Sequence, residues 1–475
     1  MGIIADRIPL AEVNFHPLSF GDRRGRLFWW REQLYRGISC QHVDFVKQLF
    51  ENGIIESLTD KGLLVETEIT NLKLEGYGLV LKHGRVPFAS YCYEWCFEMF
   101  KDAALLTVDL EIELRRHGLT LQDAHPWNVL FDGPRPVYVD FSSIVPNGEN
   151  REWRAYDEFC RFVIRPLRLM ANGNERVARW LLRAPRGILQ PEFDALNRNG
   201  SSQSDIGAAV SALSEAAGRS VSAAKKQIPS ALRPLVKAMY EFFTSTPQNA
   251  KELDLIREVR PDLAAITLPS RQTPWSGYYT DYPPFTPSEA WKQKHNTVYQ
   301  VLSELCPSSI LDIGSNRGWY TNLAAVLGSK VVALDSDEVC ISQLYSEAKR
   351  ENRSILPLVM DFCSPSPGYG ICNQESSPAT ARLTCDLVLA SALVHHLVFG
   401  RHLKFDQISE GLAAFSKRWL LVEFVPEEDP DLQRTWSRRY SWYTQDNFRA
   451  ALKRHFRDIK TYASDSPRMY FLCEK

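Results

Sequence analysis

Residues 310–318, with the sequence ILDIGSNRG, constrain the fold of this chain more than any other stretch. The first four are typical of a buried strand, and the glycine turn after them leads into a predicted helix over residues 320–327. The next apolar run ends in the acidic residue Asp335. A parallel sheet brings such strand ends to one edge, where glycines admit a ligand and a helix N-terminus offers free N–H groups. The pattern predicts a nucleoside pocket in which Asp335 accepts hydrogen bonds from two ribose hydroxyls.

The glycine spacing separates this pocket from a dinucleotide site. It reads D-x-G-x-x-x-G, whereas pyrophosphate binders carry G-x-G-x-x-G. A strand, a turn and a helix with two glycines can also have a purely structural role. The residues that follow the turn are therefore needed to support a binding site. Short apolar runs continue the pattern, with amphipathic helical stretches between them, at residues 355–362, 385–397 and 419–426. This alternation predicts a parallel sheet, and residues 458–462 and 468–473 suit a final antiparallel pair.

The order of these elements resembles a complete class I S-adenosylmethionine-dependent methyltransferase domain, over residues 273–475. The resemblance implies an α/β fold with a Rossmann-like, seven-stranded sheet and S-adenosylmethionine as cofactor. It implies that the D-x-G-x-x-x-G stretch, called motif I in this family, surrounds the methionine part of the cofactor. It also implies that the adenine of the cofactor is held by a hydrogen bond and an apolar contact, and that one backbone position flanks the sulfonium. The residues at these places are Asp312, Gly314, Asn316 and Gly318 for motif I, Asp335 for ribose, Asp361 and Phe362 for adenine, and Ser391 beside the sulfonium.

The loop after the fourth strand, residues 391–396, narrows the substrate. It lacks the N-P-P-Y pattern of amino-group methylation and resembles the A-L-x-H-H-L variant found in enzymes of small molecules, sugars and lipids. His395 or His396 could take a proton from an attacking hydroxyl, since the ordinary histidine pKa lies near the operating pH. Glu423, at the end of the fifth strand, is a second candidate base. The alternative for each is a cap, packing or ion-pair role.

The N-terminal half carries a second pattern. A loop with Asp123 and Asn128 precedes a short hairpin and the Asp140-Phe141 pair. This D-x-x-x-x-N then D-F order resembles the catalytic core of protein kinases and aminoglycoside-type phosphotransferases. The resemblance implies that Asp123 orients an acceptor hydroxyl and that Asn128 and Asp140 hold Mg²⁺ under the phosphates of ATP. A glycine-rich loop and a convincing third-strand lysine are lacking, and Arg36 is a poor substitute, so a degenerate domain stays open beside an active kinase.

These patterns predict three segments. An α+β kinase-like domain covers residues 1–195, a linker and helical connector covers 196–272, and the methyltransferase domain covers 273–475. A polar linker at 197–204, an Ala- and Ser-rich stretch at 208–226 and a helix at 230–244 make up the connector. An aromatic, proline-rich segment at 275–284 could cover the pocket or act as a strap. The whole chain also resembles, more loosely, bacterial two-part methyltransferases, some of which are labelled as nodulation proteins.

Bulk properties exclude some classes of protein. The 475 residues include 56 basic and 57 acidic side chains, so no broad field favours nucleic acid. No apolar run is long enough to span a membrane. The ten scattered cysteines form no C-x-x-C pair, which predicts a cytoplasmic protein without a metal site.

The sequence therefore predicts a bacterial S-adenosylmethionine-dependent methyltransferase that acts on a hydroxyl of a small molecule or saccharide. The kinase-like domain would bind or position the substrate. The alternatives are a bifunctional kinase and methyltransferase that uses Mg-ATP, a non-catalytic pseudokinase scaffold, and a protein-modifying enzyme with a protein partner.

Overall fold

A computed structural model describes residues 7–148, 153–197, 252–277, 283–433 and 436–475. Most of the predicted connector, residues 198–251, lies outside the described residues, as do residues 278–282 of the aromatic segment. The chain divides into two compact units. One combines described residues of 1–103, 127–142 and 270–475, and the other those of 104–126 and 143–269. The predicted domain boundaries at 195 and 272 stay a prediction.

The described residues contain sixteen strands. In chain order they are β1 Asn14–Phe15, β2 Gly25–Trp30, β3 Gln33–Ile38, β4 Thr67–Ile69, β5 Leu79–His83, β6 Leu119–Leu121, β7 Val129–Asp132, β8 Arg135–Tyr138, β9 Ile144–Pro146, β10 Ser309–Ile313, β11 Lys330–Asp335, β12 Ile355–Val359, β13 Cys385–Ala390, β14 Ser416–Phe424, β15 Asp458–Ala463 and β16 Met469–Glu474. The α-helices are Val43–Glu51, Ile54–Asp60, Phe97–Arg116, Tyr156–Phe159, Arg165–Ala171, Glu175–Leu181, Gln190–Asn197, Glu252–Ala265, Gln293–Leu305, Trp319–Val326, Glu338–Arg350, Ala379–Arg382, Phe405–Phe415, Pro430–Gln433 and Gln445–Leu452.

The largest sheet contains seven strands in the order β12-β11-β10-β13-β14-β16-β15. The pairs from β12 to β14 are parallel, and β16 runs antiparallel to both β14 and β15. The chain thus forms a mixed α/β fold with a mostly parallel sheet, as the alternation of apolar runs and amphipathic stretches predicts. Since β10 and β13 are neighbours and come from distant parts of the sequence, their carboxyl ends meet at the point where the strand order reverses.

The parallel strands β10 to β13 of this sheet are mostly buried because helices pack against it. All five residues of β10 are buried, which agrees with its apolar sequence. One core cluster joins helix residues such as Trp319 and Leu323 to strand residues such as Ile310 and Leu387. This packing fixes the position of the helix Trp319–Val326 relative to β10. The glycine turn between them is held in place as a result.

The N-terminal part of the same unit forms a five-stranded antiparallel sheet in the order β1-β2-β3-β5-β4. The hairpin of β7 and β8 also belongs to this unit. In the other unit, β6 pairs with β9. The helix predicted over residues 320–327 begins one residue earlier, at Trp319, and ends at Val326.

Candidate functional site

A cavity of about 390 Å³ opens at the carboxyl ends of the parallel strands. Its volume falls within the range of about 300 to 1,000 Å³ that is usual for small-molecule pockets. Most of the predicted site residues line it. They are Asp312, Gly314, Asn316, Asp335, Asp361, Phe362, Ser391, His396 and Glu423. The predicted residues Gly318 and His395 are not among the lining residues.

Both glycines of the turn adopt a left-handed backbone conformation. Gly314 has a φ of 74°, and its N–H donates to the carbonyl of Leu334 over 2.8 Å. Gly318 has a φ of 76° and serves as the N-cap of the helix Trp319–Val326. A Cβ atom on Gly318 would lie 2.6 Å from Leu344 Cδ1, so this glycine allows close helix packing. Gly318 therefore has a packing role, and its contact with a cofactor stays a prediction.

Asp335 braces the turn from the neighbouring strand. One carboxylate oxygen accepts the Asn316 N–H at 2.7 Å, and the other accepts the Asp337 N–H at 2.8 Å. Burial raises the pKa of Asp335, while these N–H bonds oppose the rise. A carboxylate has about four lone-pair positions, so both oxygens can accept further bonds from the cavity side. The acid and the glycine turn thus form one wall.

Asp312 lies deeper, at the end of β10, with 3% of its surface exposed. It accepts a hydrogen bond of 2.6 Å from the Thr321 hydroxyl. Burial raises the pKa of Asp312 to about 7; the Thr321 hydrogen bond lowers it and the nearby charge of Asp335 raises it further. This carboxyl group therefore changes its protonation near neutral pH.

The segment after β12 contributes Asp361 and Phe362 to the lining of the cavity. Asp361 accepts the Cys363 N–H at 2.9 Å and pairs with the Arg401 guanidinium at 2.5 Å. The Phe362 ring packs against the helix Phe405–Phe415 at Gly411, where a Cβ atom would lie 2.8 Å from the ring. A carboxylate beside an aromatic ring can hold a planar base by hydrogen bond and apolar contact.

The third wall follows β13 and β14. The Ser391 hydroxyl lies 2.8 Å from the Tyr470 hydroxyl. Glu423 is 1% exposed and accepts the Ala392 N–H at 2.8 Å and the Ser464 hydroxyl at 2.5 Å. Burial raises the pKa of Glu423, and the Ser464 hydrogen bond and the charge of Lys294 oppose the rise.

The two adjacent histidines lie in different surroundings. His396 lines the cavity at its mouth, and its ring meets the Trp275 ring edge-on with 5.4 Å between centroids. His395 is 8% exposed, and its Nδ1 has no hydrogen-bond partner in the described part of the chain. Burial lowers the pKa of His395 to about 3, so its imidazole is neutral at physiological pH. Of the two, His396 is the one that can face a ligand.

The N-terminal candidates have other partners. Asn128 donates to the Tyr138 hydroxyl at 3.1 Å. Asp140 accepts the Ser142 hydroxyl at 2.8 Å and lies 3.4 Å from the guanidinium of Arg36, which is 3% exposed. In the other unit, the backbone N–H of Asp123 donates to the Ser143 hydroxyl at 3.0 Å. Within the described ranges, no group of three or more His, Cys, Asp or Glu residues could hold a metal ion.

Two lining residues carry no signal in the sequence. Lys294 lies in the first turn of the helix Gln293–Leu305, is 15% exposed at the cavity, and has its ion-pair partner Asp465 3.9 Å away. Burial lowers the pKa of Lys294. Arg401 follows a short π-helix, His396–Gly400, that forms part of the wall. Lysine and arginine usually lie on the protein surface, so their sequence positions do not mark them as site residues. Only the packing of segments that are distant in sequence brings them to the cavity.

Of the helices in the described ranges, none is both long and apolar enough to cross a bilayer. No protein-family model matches this chain. The chain is similar to the nodulation protein NoeA of Rhizobium meliloti (strain 1021), at 24% identity over 477 residues. The match covers 94% of this chain and 92% of NoeA.

Solved structures similar to parts of this chain include methyltransferases. The bifunctional kinase-methyltransferase WbdD is 18% identical with a TM-score of 0.28, and the match covers 38% of this chain and 37% of WbdD. Magnesium protoporphyrin IX methyltransferase (ChlM) from Synechocystis PCC 6803, solved with bound SAM, is 15% identical with a TM-score of 0.27. That match covers 38% of this chain and 77% of ChlM. The chain thus spans less than two fifths of the length of WbdD.

Proposed function

We propose that this chain binds S-adenosylmethionine in the cavity at the sheet edge and transfers its methyl group to a hydroxyl of a small molecule or saccharide. One observation carries the proposal. The Asp335 carboxylate and the glycine turn with Gly314 line the same cavity, and Asp335 is hydrogen-bonded to that turn through the Asn316 N–H. An acidic residue at the end of a strand, next to a glycine turn, can accept hydrogen bonds from the ribose hydroxyls of an adenosine.

The lining residues fit the parts of this cofactor. Asp335 would accept the ribose hydroxyls, and Asp361 with Phe362 would hold adenine. The Lys294 ammonium is mostly buried at the cavity, 3.9 Å from its ion-pair partner, and would bind the methionine carboxylate. The cofactor supplies an activated methyl group on a sulfonium, so the protein has to align the acceptor and exclude water.

The acceptor would enter beside His396 and Trp275, at the mouth of the cavity. His396 is the candidate group for moving a proton from the acceptor hydroxyl, since it lines the cavity and His395 does not. Partial burial lowers the pKa of His396, which favours the neutral imidazole that can accept a proton. The similarity to NoeA over 94% of the chain supports one function that uses both halves.

We assign the N-terminal half to binding or positioning of the acceptor. Asp140 lies 3.4 Å from the buried guanidinium of Arg36, which is a poor substitute for the compact lysine ammonium that the kinase resemblance implies. The ten cysteines are all free thiols, which supports a cytoplasmic setting.

Calorimetry with S-adenosylhomocysteine tests the cofactor site. Asp335→Asn is expected to weaken binding by about 10- to 100-fold, because one oxygen acceptor becomes an N–H₂ donor and a charge-assisted bond is worth about 1.5 to 3 kcal/mol. Asp337→Asn is the matched control, since Asp337 caps a helix and does not line the cavity. Equal affinities in all three proteins would refute the assignment. Labelled methyl transfer into fractionated bacterial extract would then identify the acceptor.

A further inference from the structure

Ala392 adopts a backbone conformation that its side chain disfavours. Its φ is 50°, in the left-handed region where glycine is the usual residue. It lies between Ser391 and Leu393, and all three residues line the cavity. A strained residue in a cavity wall persists only where neighbouring groups hold it.

Glu423 holds it. The Ala392 N–H donates to one Glu423 oxygen at 2.8 Å, and the Ser464 hydroxyl donates to the other at 2.5 Å. The carboxylate is 1% exposed, and the charges of Lys294 and Arg468 favour its ionised form. A bond from an N–H to a buried carboxylate is stronger than one between neutral groups. Both oxygens therefore have donors within the protein.

The held residue fixes the wall opposite the glycine turn. A Cβ atom on Gly314 would lie 3.3 Å from Leu393 Cδ1, so the Leu393 side chain packs directly over the turn. Contacts thus run from Glu423 through Ala392 and Leu393 to Gly314. The space between the glycine turn and the loop after β13 depends on them.

We propose that Glu423 is a positioning residue, whose carboxylate holds the Ser391–Leu393 wall in the shape that admits the cofactor, and that it does not act as the base for the acceptor. The inference deepens the proposed methyl transfer and depends on it for the identity of the ligand. It changes the role of a residue that the sequence marks as a candidate base.

A rescue experiment distinguishes the two roles, with S-adenosylhomocysteine affinity as the readout. Glu423→Ala is expected to weaken binding by about tenfold or more, because the Ala392 N–H loses its acceptor. Ala392→Gly alone is the reference for the double variant, since glycine adopts a positive φ without strain. In the double variant, glycine is expected to restore affinity to within about threefold of the unmodified protein.

Two outcomes would overturn the proposal: wild-type affinity in Glu423→Ala, or a double variant that binds as weakly as Glu423→Ala. If Glu423→Ala does not fold, Glu423→Gln takes its place, because an amide oxygen can still accept the Ala392 N–H. The proposal would also be overturned if Glu423→Gln bound S-adenosylhomocysteine tenfold more weakly and the addition of Ala392→Gly did not restore the affinity.

Hydrogen exchange without ligand keeps this test separate from the proposed function. The Ala392 amide is expected to be protected in the unmodified protein and to exchange faster in Glu423→Ala. Equal exchange in both proteins would overturn the positioning role. An unmodified protein that does not bind S-adenosylhomocysteine would overturn the proposed function, and the exchange result would still decide the role of Glu423.

Discussion

Replacing Asp312 with asparagine is expected to flatten the pH dependence of stability in the unit that contains the seven-stranded sheet. Burial raises the pKa of Asp312 from 3.8 to about 7. The folded protein therefore keeps this proton up to about pH 7, while the unfolded chain releases it near pH 4, and the stability from this group is lost as the pH rises between these values. From about pH 5 to about pH 8, the free energy of unfolding should fall by about 2 to 3 kcal/mol.

Asparagine carries no such proton, so Asp312→Asn should lack this fall, while the titrating groups other than its coupled neighbour Asp335 contribute equally to both proteins. The assay is urea denaturation at a series of pH values, with hydrogen exchange of β10 as the local readout. Thr321→Val is the matched control. The Thr321 hydroxyl stabilises the ionised carboxylate of Asp312. Its loss should therefore raise the pKa of Asp312 further, and the fall in the free energy of unfolding should extend to higher pH. Parallel curves for Asp312→Asn and the unmodified protein would refute the reasoning.

Two further substitutions test the other structural assignments. Gly318→Ala is expected to destabilise the fold by about 1 to 3 kcal/mol in thermal denaturation, because φ is 76° and the new Cβ would meet Leu344; Gly328→Ala, which meets nothing within 4 Å at a φ of 94°, should cost less. Asp140→Ala is expected to destabilise the fold by about 1 kcal/mol, since the buried Arg36 loses its ion pair of 3.4 Å with Asp140 and keeps the one of 2.5 Å with Asp22. A saturable Mg-ATP signal in calorimetry that disappears in Asp140→Ala would instead favour phosphoryl transfer.

The sequence predicts much of the sheet edge because a parallel sheet needs little long-range information. Asp312, Asp335 and Ser391 each follow or end an apolar run. Right-handed crossovers place the ends of such runs at one edge, so chain order alone brings the three side chains near one another. The cavity lined by all three agrees with this reasoning.

Other features depend on packing that no local pattern records. His395 and His396 are neighbours in sequence, and only the helical turn there decides that one is buried and the other faces the cavity. Lys294 reaches the cavity from the helix Gln293–Leu305, which lies outside the motif that marks the site in the sequence. Gly318 follows the motif spacing, but its space is taken by Leu344 from the next helix.

The ionisable residues around the cavity favour a cationic cofactor over an anionic one. Four carboxyl groups line the cavity, together with two cationic side chains, Lys294 and Arg401. Arg401 is already paired with Asp361, and Lys294 lies near the charge of Glu423. With Asp312 protonated, the carboxyl groups of Asp335 and Glu423 still outnumber the one available cation, Lys294, and a pyrophosphate would be repelled by them because like charges repel strongly where water is excluded. A sulfonium beside these carboxyl groups gains from the same field. The charges thus favour the same ligand class as the glycine spacing does.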